Sequence, residues 1–241
     1  MSALPQGELP PYTVRRSKRA RHVRLTVTPR AGLVVVVPLH WRGDAAGLVA
    51  EKREWAETAL ARIAERRAVF AAGPDALLPD AVELRAFSET WPVEYRATAS
   101  GSVRARTDGA VLAVVGNVDD AEACLGALSR WLDRTARERL LPLLAEVAEE
   151  TGVAYASARV RHVRSRWGSC SARATISLNR ALVFVPAHLA RSVLVHELAH
   201  TRVLDHSDRF WTELTRLDPD AREHRHQLKD AAKYVPPWAE L

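Results

Sequence analysis

The segment Val195-His196-Glu197-Leu198-Ala199-His200 constrains the fold of this chain more than any other stretch. Histidines four residues apart lie on one face of an α-helix, where both imidazoles can bind one metal ion. The neighbouring residues are apolar, so the sequence predicts a buried helix that starts after Pro186 and runs from Ala187 to Val203. Polar side chains in such a helix cost free energy unless they have a function.

Glu197 lies beside the first histidine, about 100° round the helix. There it is poorly placed to be a ligand, but it can reach a metal-activated water molecule and take its proton as a general base. The His-Glu-x-x-His pattern is typical of zinc hydrolases. We therefore predict a zinc-dependent hydrolase with one zinc ion per chain, in which His196 and His200 bind the metal and Glu197 is the catalytic residue.

A catalytic zinc ion normally has a third protein ligand and one open position. His206 is the first candidate, although on an unbroken helix it would lie roughly 120° from His200 and about 9 Å further along. The chain must therefore leave the helix near Leu204, and the turn-forming residues Asp205 to Asp208 fit such a break. Glu213, on the next predicted helix, is the rival ligand. We favour His206, because a third histidine so soon after the pair has little structural reason to exist.

Composition limits the class of protein. The chain has 241 residues, 47% of them hydrophobic, which fits a globular protein of one large or two small domains. The sequence has no apolar run long enough to span a membrane, and the proline-rich residues 1–11 lack a signal core, so we expect a cytoplasmic protein with a disordered N-terminus. Cys124 and Cys170 are too few and too far apart for a disulfide framework. The net charge of +6 permits a nucleic-acid partner, which we do not favour.

The residue patterns predict an α+β fold in two parts. Residues 12–117 form a strand-rich α+β region, with a hairpin within residues 23–37, a helix from Asp44 to about Phe70, and short strands over residues 82–115 that include an Asp108-Gly109 turn. The basic side chains between Arg15 and Arg24 fit a solvated strand face better than an anion site.

Residues 118–241 form the predicted catalytic domain. A long helix begins at Asp119-Asp120 with Glu122 in a capping box, continues to about Glu150, and is kinked or divided at Pro142. Two strands over residues 158–164 and 175–178 flank a turn-like segment, Trp167 to Ser171. This strand pair could bind an extended peptide through its edge. Further helices follow Ser207 and the Asp218-Pro219 cap.

Several motifs together resemble those of a known family. They are Arg166-Trp167-Gly168-Ser169-Cys170-Ser171, Ile176-Ser177-Leu178-Asn179 with Pro186, His196 to His200 with His206, and Phe210-Trp211. With these motifs the chain resembles the YgjP-like family of bacterial metal-dependent hydrolases, relatives of the SprT-like and WLM zinc proteases. Weaker similarities, in the basic Arg15–Arg24 segment, the hairpin ending in Pro38 and the helix with Lys52 and Trp55, extend the resemblance over most of residues 12–238.

The resemblance implies a zincin-like metallopeptidase domain with an active-site helix. It implies His196, His200 and His206 as zinc ligands, and Glu197 as catalytic acid and base. It also implies that a segment beside the active site lines the substrate, namely Arg166, Trp167, Gly168, Ser169 and Cys170. The spacing of the last two histidines matches that of metzincins, but their turn glycine is Val203 here, so this chain must turn in another way.

Four functions follow from these observations. We favour a zinc metallopeptidase acting on a peptide or small-molecule substrate, with no membrane partner. The alternatives are a hydrolase of a nucleotide phosphoanhydride, a DNA-associated SprT-like protease, and a structural zinc module. A histidine-rich site disfavours Mg²⁺, and structural zinc sites are closed. Arg164, Arg166 and Tyr234 are unranked candidates for stabilising an oxyanion.

Overall fold

The fold is α+β and divides into two compact units. The computed structural model describes residues 9–18, 20–28, 32–61 and 74–240. The N-terminal unit is Met1–Gly73 and the C-terminal unit is Pro74–Leu241. The predicted disorder of residues 1–11 falls largely on residues 1–8, which lie outside the described residues, as do Arg19 and the hairpin turn at 29–31.

The N-terminal unit is built on a three-stranded sheet of β1 (Tyr12–Ser17), β2 (Arg24–Thr28) and β3 (Gly32–Pro38), in the order β1-β3-β2. Residues 33–37 of the central strand β3 are all buried. The predicted hairpin is confirmed, since β2 and β3 pair antiparallel from Thr28 opposite Gly32. Leu25 and Val27 of β2 pack against the core around β3, as their alternation predicts.

The helix of the N-terminal unit begins where predicted. The Asp44 carboxylate accepts hydrogen bonds from the Ala46 and Gly47 amides and caps α1 (Ala45–Glu51). The predicted single helix is interrupted at Lys52, and α2 is described over residues 53–61. Its predicted end near Phe70 lies outside the described residues.

A four-stranded sheet opens the C-terminal unit, with β4 (Ala81–Leu84), β5 (Glu89–Ala97), β6 (Arg104–Asp108) and β7 (Val111–Gly116) in the order β4-β5-β7-β6. The Asp108-Gly109 turn joins β6 to β7 as predicted, with Gly109 at φ 61°. Sequence analysis placed a domain boundary after residue 117, whereas the compact units of the structure divide between Gly73 and Pro74. The sheet belongs with the helix that follows it, because the guanidinium groups of Arg130 and Arg134 donate to backbone carbonyls of the segment Val103–Ala105.

The helix α3 (Ala121–Thr151) follows this sheet, and its leucines at helical spacing are buried, namely Leu125, Leu128, Leu132, Leu140 and Leu144. Its N-cap is Asp120, whose side chain accepts from the Ala123 amide, so the predicted capping box with Glu122 does not form. Pro142 lies inside α3 without dividing it. Gly152 ends the helix in the left-handed conformation, close to the predicted end at Glu150.

A second three-stranded sheet follows, with β8 (Ser157–Arg161), β9 (Gly168–Cys170) and β10 (Thr175–Asn179) in the order β8-β10-β9. The prediction of a turn over residues 167–171 is wrong at its centre, because Gly168–Cys170 pairs antiparallel with β10 as an edge strand. The Asn179 side-chain amide donates to the Val163 and Arg166 carbonyls and fixes the loop that leads into β9.

Three helices complete the C-terminal unit: α4 (Ala187–Ala199), α5 (Asp208–Leu217) and α6 (Ala221–Leu228). The helix α4 ends four residues before the predicted Val203, with His200 as its C-cap. The N-cap of α6 is Asp220 instead of the predicted Asp218, whose carboxylate accepts from His224 Nδ1. None of the described helices combines the length and apolar character that a bilayer-spanning segment needs.

Candidate metal centre

Three imidazoles converge at the end of α4. His196 and His200 come from the last turn of the helix, and His206 comes from the loop before α5. The Nε2 atom of His196 lies 3.1 Å from that of His200 and 3.3 Å from that of His206. All three residues offer a ring nitrogen, and these atoms lie within 4.8 Å of one another. Such a cluster can surround a single metal ion.

The early end of α4 is what brings His206 back to the histidine pair. After His200 the amide of Val203 still donates to the Ala199 carbonyl, and the chain then leaves the helical path. The Asp205 carboxylate accepts from the Ser207 amide and closes a further turn just before α5. Among the described residues, positive φ angles outside glycine occur only at Ser88 and Ala174. The turn therefore needs no glycine at the metzincin position.

A backbone contact orients the second histidine. His200 Nδ1 lies 2.9 Å from the Val203 carbonyl oxygen, which can only accept, so Nδ1 carries the proton. Its Nε2 is then left with a lone pair that points at the other two rings. Burial lowers the pKa of the His200 imidazole, and burial followed by the neighbouring His200 lowers the pKa of His196 to about 3. Both rings are therefore neutral near pH 7, as metal binding requires.

Phe210 of α5 is the shared packing partner of the three rings. It is fully buried and stacks on His200 at a centroid distance of 4.4 Å, while its edge contacts with His196 and His206 are 5.0 and 4.8 Å. Side chains held on one aromatic ring lose little further freedom when they bind a ligand.

The Glu197 carboxyl group lies against the edge strand β9. The residue is 5% exposed, and its Oε2 has no hydrogen-bond partner in the part of the chain that the structure describes. Burial raises the pKa of Glu197 to about 7, and the Arg166 guanidinium opposes this rise. A Cβ atom on Gly168 would lie 2.5 Å from Glu197 Oε1, so only glycine allows this approach.

A cavity of about 550 Å³ opens beside His196 and Glu197. Of the predicted substrate-lining segment, Arg166, Trp167 and Gly168 line it, whereas Ser169 and Cys170 are not among its lining residues. Cys170 is half-buried, and burial followed by the charge of Glu197 raises the pKa of its thiol. A thiol with a raised pKa is a poor nucleophile at neutral pH.

Of the other sequence candidates, only Arg166 lies at the cavity. The rival ligand Glu213 is not part of the histidine cluster, and its carboxylate pairs with Arg202 and Arg216. Of the unranked oxyanion candidates, Arg166 lines the cavity. Neither Arg164 nor Tyr234 does; Arg164 donates to the Glu240 carbonyl, and Tyr234 contacts the cationic groups of Arg85 and Lys233.

Sequence reasoning gave no role to several residues of this site. Phe210 and Trp211 were expected on the helix after Ser207 and in a family motif, without a role at the site. Arg225 and Lys229 of the α6 segment were not assigned to the cavity that they line. The hydrophobic side of α5 was a usable signal for Phe210, because its spacing from Leu214 marks a buried helix face. Nothing in the spacing of Arg225 and Lys229 indicates which way they point.

Comparison with known proteins identifies the family. A sequence model of the YgjP-like family, described as "YgjP-like, metallopeptidase domain", matches residues 21–231. No curated protein matches the chain. The chain is similar to the crystal structure of the metallopeptidase zymogen abylysin of Pyrococcus abyssi. The identity is 24% and the TM-score is 0.36, over 39% of this chain and 95% of that one. The chain is also similar to the crystal structure of the metallopeptidase zymogen jannalysin of Methanocaldococcus jannaschii. The identity is 17% and the TM-score is 0.34, over 38% of this chain and 94% of that one.

The family match covers most of the chain, including every element that surrounds the histidine cluster. A metallopeptidase of this family needs a divalent metal ion, and the three imidazoles could hold one. This chain therefore belongs to the YgjP-like family and is a metal-dependent hydrolase of the metallopeptidase type.

Proposed function

We propose that this chain is a zinc-dependent metallopeptidase in which His196, His200 and His206 hold one zinc ion and Glu197 is the general base. The observation that carries the proposal is the convergence of three ring nitrogens within 4.8 Å, beside a buried carboxyl group with an unpartnered oxygen. Burying unpaired polar groups costs folding free energy, and a metal ion that uses the ring nitrogens as ligands offsets this cost.

The donor set fits zinc. Three neutral imidazoles are the ligand type that zinc accepts and Mg²⁺ does not favour. His206 is exposed, so one side of the cluster is open to a substrate. A zinc ion bound here would supply the Lewis acidity that activates water and polarises a carbonyl group.

Glu197 moves the proton in this proposal. Its Oε2 atom is buried without a hydrogen-bond partner among the described residues, so it can accept a proton from water as the oxygen attacks the peptide carbonyl. The same carboxyl group then returns the proton to the amine that leaves when the C–N bond breaks. Gly168 holds the carboxyl group in place through close contact.

The edge strand β9 supports a peptide as substrate. Its described pairing is with β10 alone, which leaves the backbone groups of its other edge for an extended chain. The strand also contacts α4, which carries the histidine pair. An added strand would gain backbone hydrogen bonds close to the metal ligands.

The test combines metal content with turnover. We expect about one zinc ion per wild-type chain by mass spectrometry, unchanged content but roughly 10³-fold slower peptide cleavage in Glu197→Gln, and loss of zinc in His206→Ala. His226→Ala, which removes an exposed histidine outside the cluster, is the matched control and keeps both properties.

Three results would overturn this assignment. Unchanged turnover in Glu197→Gln would show that Glu197 is not the general base. Zinc loss in Glu213→Ala instead of His206→Ala would show that Glu213 is the third ligand. Hydrolysis of nucleoside triphosphates without any cleavage of peptides would replace the substrate class.

A further inference from the structure

The cavity beside the metal centre carries an excess of positive charge. Arg166, Arg225 and Lys229 line it, and Glu197 is the sole acidic residue among its lining side chains. The rest of the wall is formed mainly by apolar and aromatic side chains, including Val193, Trp211, Leu214 and Leu228. Its volume of about 550 Å³ lies within the usual range for ligand sites.

These three cationic groups are not used to hold the fold together through ion pairs. In the part of the chain that the structure describes, no carboxylate lies within ion-pair distance of Arg166, Arg225 or Lys229, and the guanidinium of Arg225 lies over the face of Trp211, at 5.0 Å. By contrast, the nearby Arg202 is paired with Glu213. The cavity therefore has a positive potential that a bound anion would neutralise.

The chemistry of the wall fits a carboxylate. A guanidinium group binds a planar carboxylate through two parallel hydrogen bonds, and a lysine ammonium adds a third donor from another direction. The apolar wall beside them accepts the methylene groups that carry such a carboxylate in a peptide.

We propose that this cavity is a specificity site that takes a carboxylate of the peptide substrate, supplied either by an acidic side chain or by the C-terminus. The inference rests on the proposed peptidase function, because the anionic groups of an unmodified peptide are carboxylates. Arg225 and Lys229 are the specificity-determining residues. Arg166 lies in the same wall but also faces Glu197, so it serves less well as a test position.

Binding to zinc-loaded Glu197→Gln protein tests the site without cleavage. The probes are peptides of one sequence with glutamate or glutamine at each position in turn, each made with a free and an amidated C-terminus. We expect at least tenfold tighter binding, by calorimetry, for the members that carry the preferred carboxylate. The glutamate–glutamine comparison and the acid–amide comparison distinguish the two sources of that group.

Variants then assign the preference to this wall. We expect the preference to fall to about twofold or less in Arg225→Gln, Lys229→Gln protein carrying both changes. The matched control is Arg222→Gln, because Arg222 stacks on the same Trp211 ring at 4.9 Å but is not among the cavity residues, and this variant keeps the full preference.

The inference is overturned if all peptides bind equally well or none binds. It is also overturned if the preference survives in the Arg225→Gln, Lys229→Gln protein, because the carboxylate then binds zinc instead of this wall. Peptide cleavage by the wild-type enzyme separates the two proposals. If the protein binds peptides with a carboxylate preference but cleaves none, the specificity site stands and the peptidase proposal fails. If it cleaves peptides without a carboxylate preference, the peptidase proposal stands and the specificity site fails.

Discussion

At the scale of single residues, Gly168 restricts the site most tightly. Its Cα lies so close to Glu197 that a methyl group would overlap the carboxyl oxygen at 2.5 Å and the Cγ atom at 2.7 Å. Glu197 is buried, so it cannot move aside without disturbing its neighbours. The glycine therefore matters because its missing side chain leaves room for the proposed base. It does not matter because it makes the strand flexible.

We predict that Gly168→Ala lowers kcat by about 10²-fold, because a displacement of about 1 Å at a catalytic group costs this much. The zinc content stays near that of the wild type, since the three imidazoles are untouched. Steady-state kinetics and metal analysis measure the two effects separately. Gly101→Ala is the control, because a Cβ there meets nothing within 4 Å. Wild-type kcat in Gly168→Ala contradicts the role given to this contact.

The residues of the site differ in how far the sequence predicts them. His196, Glu197 and His200 follow from spacing on one helix, and His206 follows from its nearness in the chain. The contact of Gly168 with Glu197 joins residues far apart in sequence, and no periodic pattern encodes it. The same is true of Arg225 and Lys229, whose direction depends on how α6 packs.

At the scale of elements, α5 supports the histidine cluster at the end of α4. Phe210 is in ring contact with all three histidines, and α4 and α5 pack directly on each other. Groups that surround metal ligands in this way tune affinity by restricting how the ligands rotate.

We predict that Phe210→Leu weakens zinc binding by roughly tenfold, measured by competition with a chelator. The expected loss of unfolding free energy is about 1–2 kcal/mol. Phe184→Leu is the matched control, because Phe184 is equally buried but packs on Trp238 away from the histidines. It should lose similar stability and keep its zinc affinity. Equal zinc affinity in the two variants would show that Phe210 does not support the histidine cluster.

Helices and strands with a long periodic pattern were predictable, and short ones were not. The leucine stripe of α3 and the hairpins at β2–β3 and β6–β7 follow from spacing and turn residues. The three-residue strand β9 is too short to show alternation, so it was predicted as a turn. The end of α4 depends on how the chain turns between His200 and Val203, which helix propensity does not describe.

At the scale of the whole molecule, the chain is α+β as predicted, but its two compact units divide at Gly73 and not after residue 117. The strands β4 to β7 resemble those of the N-terminal unit in pattern, yet α3 binds their sheet through side chains of Arg130 and Arg134. Which sheet a helix covers depends on how side chains distant in sequence pack together. Local patterns in one sequence do not reveal this packing.

We predict that zinc stabilises the molecule through the C-terminal unit. At a free zinc concentration about 1,000 times the Kd, the unfolding free energy of that unit rises by about 4 kcal/mol. Hydrogen exchange should slow most in α4, in residues 200–207 and in α5, and should stay unchanged in the β2–β3 hairpin. His196→Ala serves as the control and shows no zinc response. Uniform protection across both units would contradict a site confined to the second.

The turn that returns His206 to α4 has a consequence for the order of events when the chain folds. The three imidazoles and Phe210 all lie within residues 196–210, so closing the ligand shell brings together only neighbouring segments of chain. The contact between Glu197 and Gly168 forms only when β9, earlier in the sequence, has docked on α4. During refolding with zinc present, we expect metal capture in stopped-flow measurements to precede the recovery of hydrolysis. A newly made chain would then be loaded before it becomes able to cut.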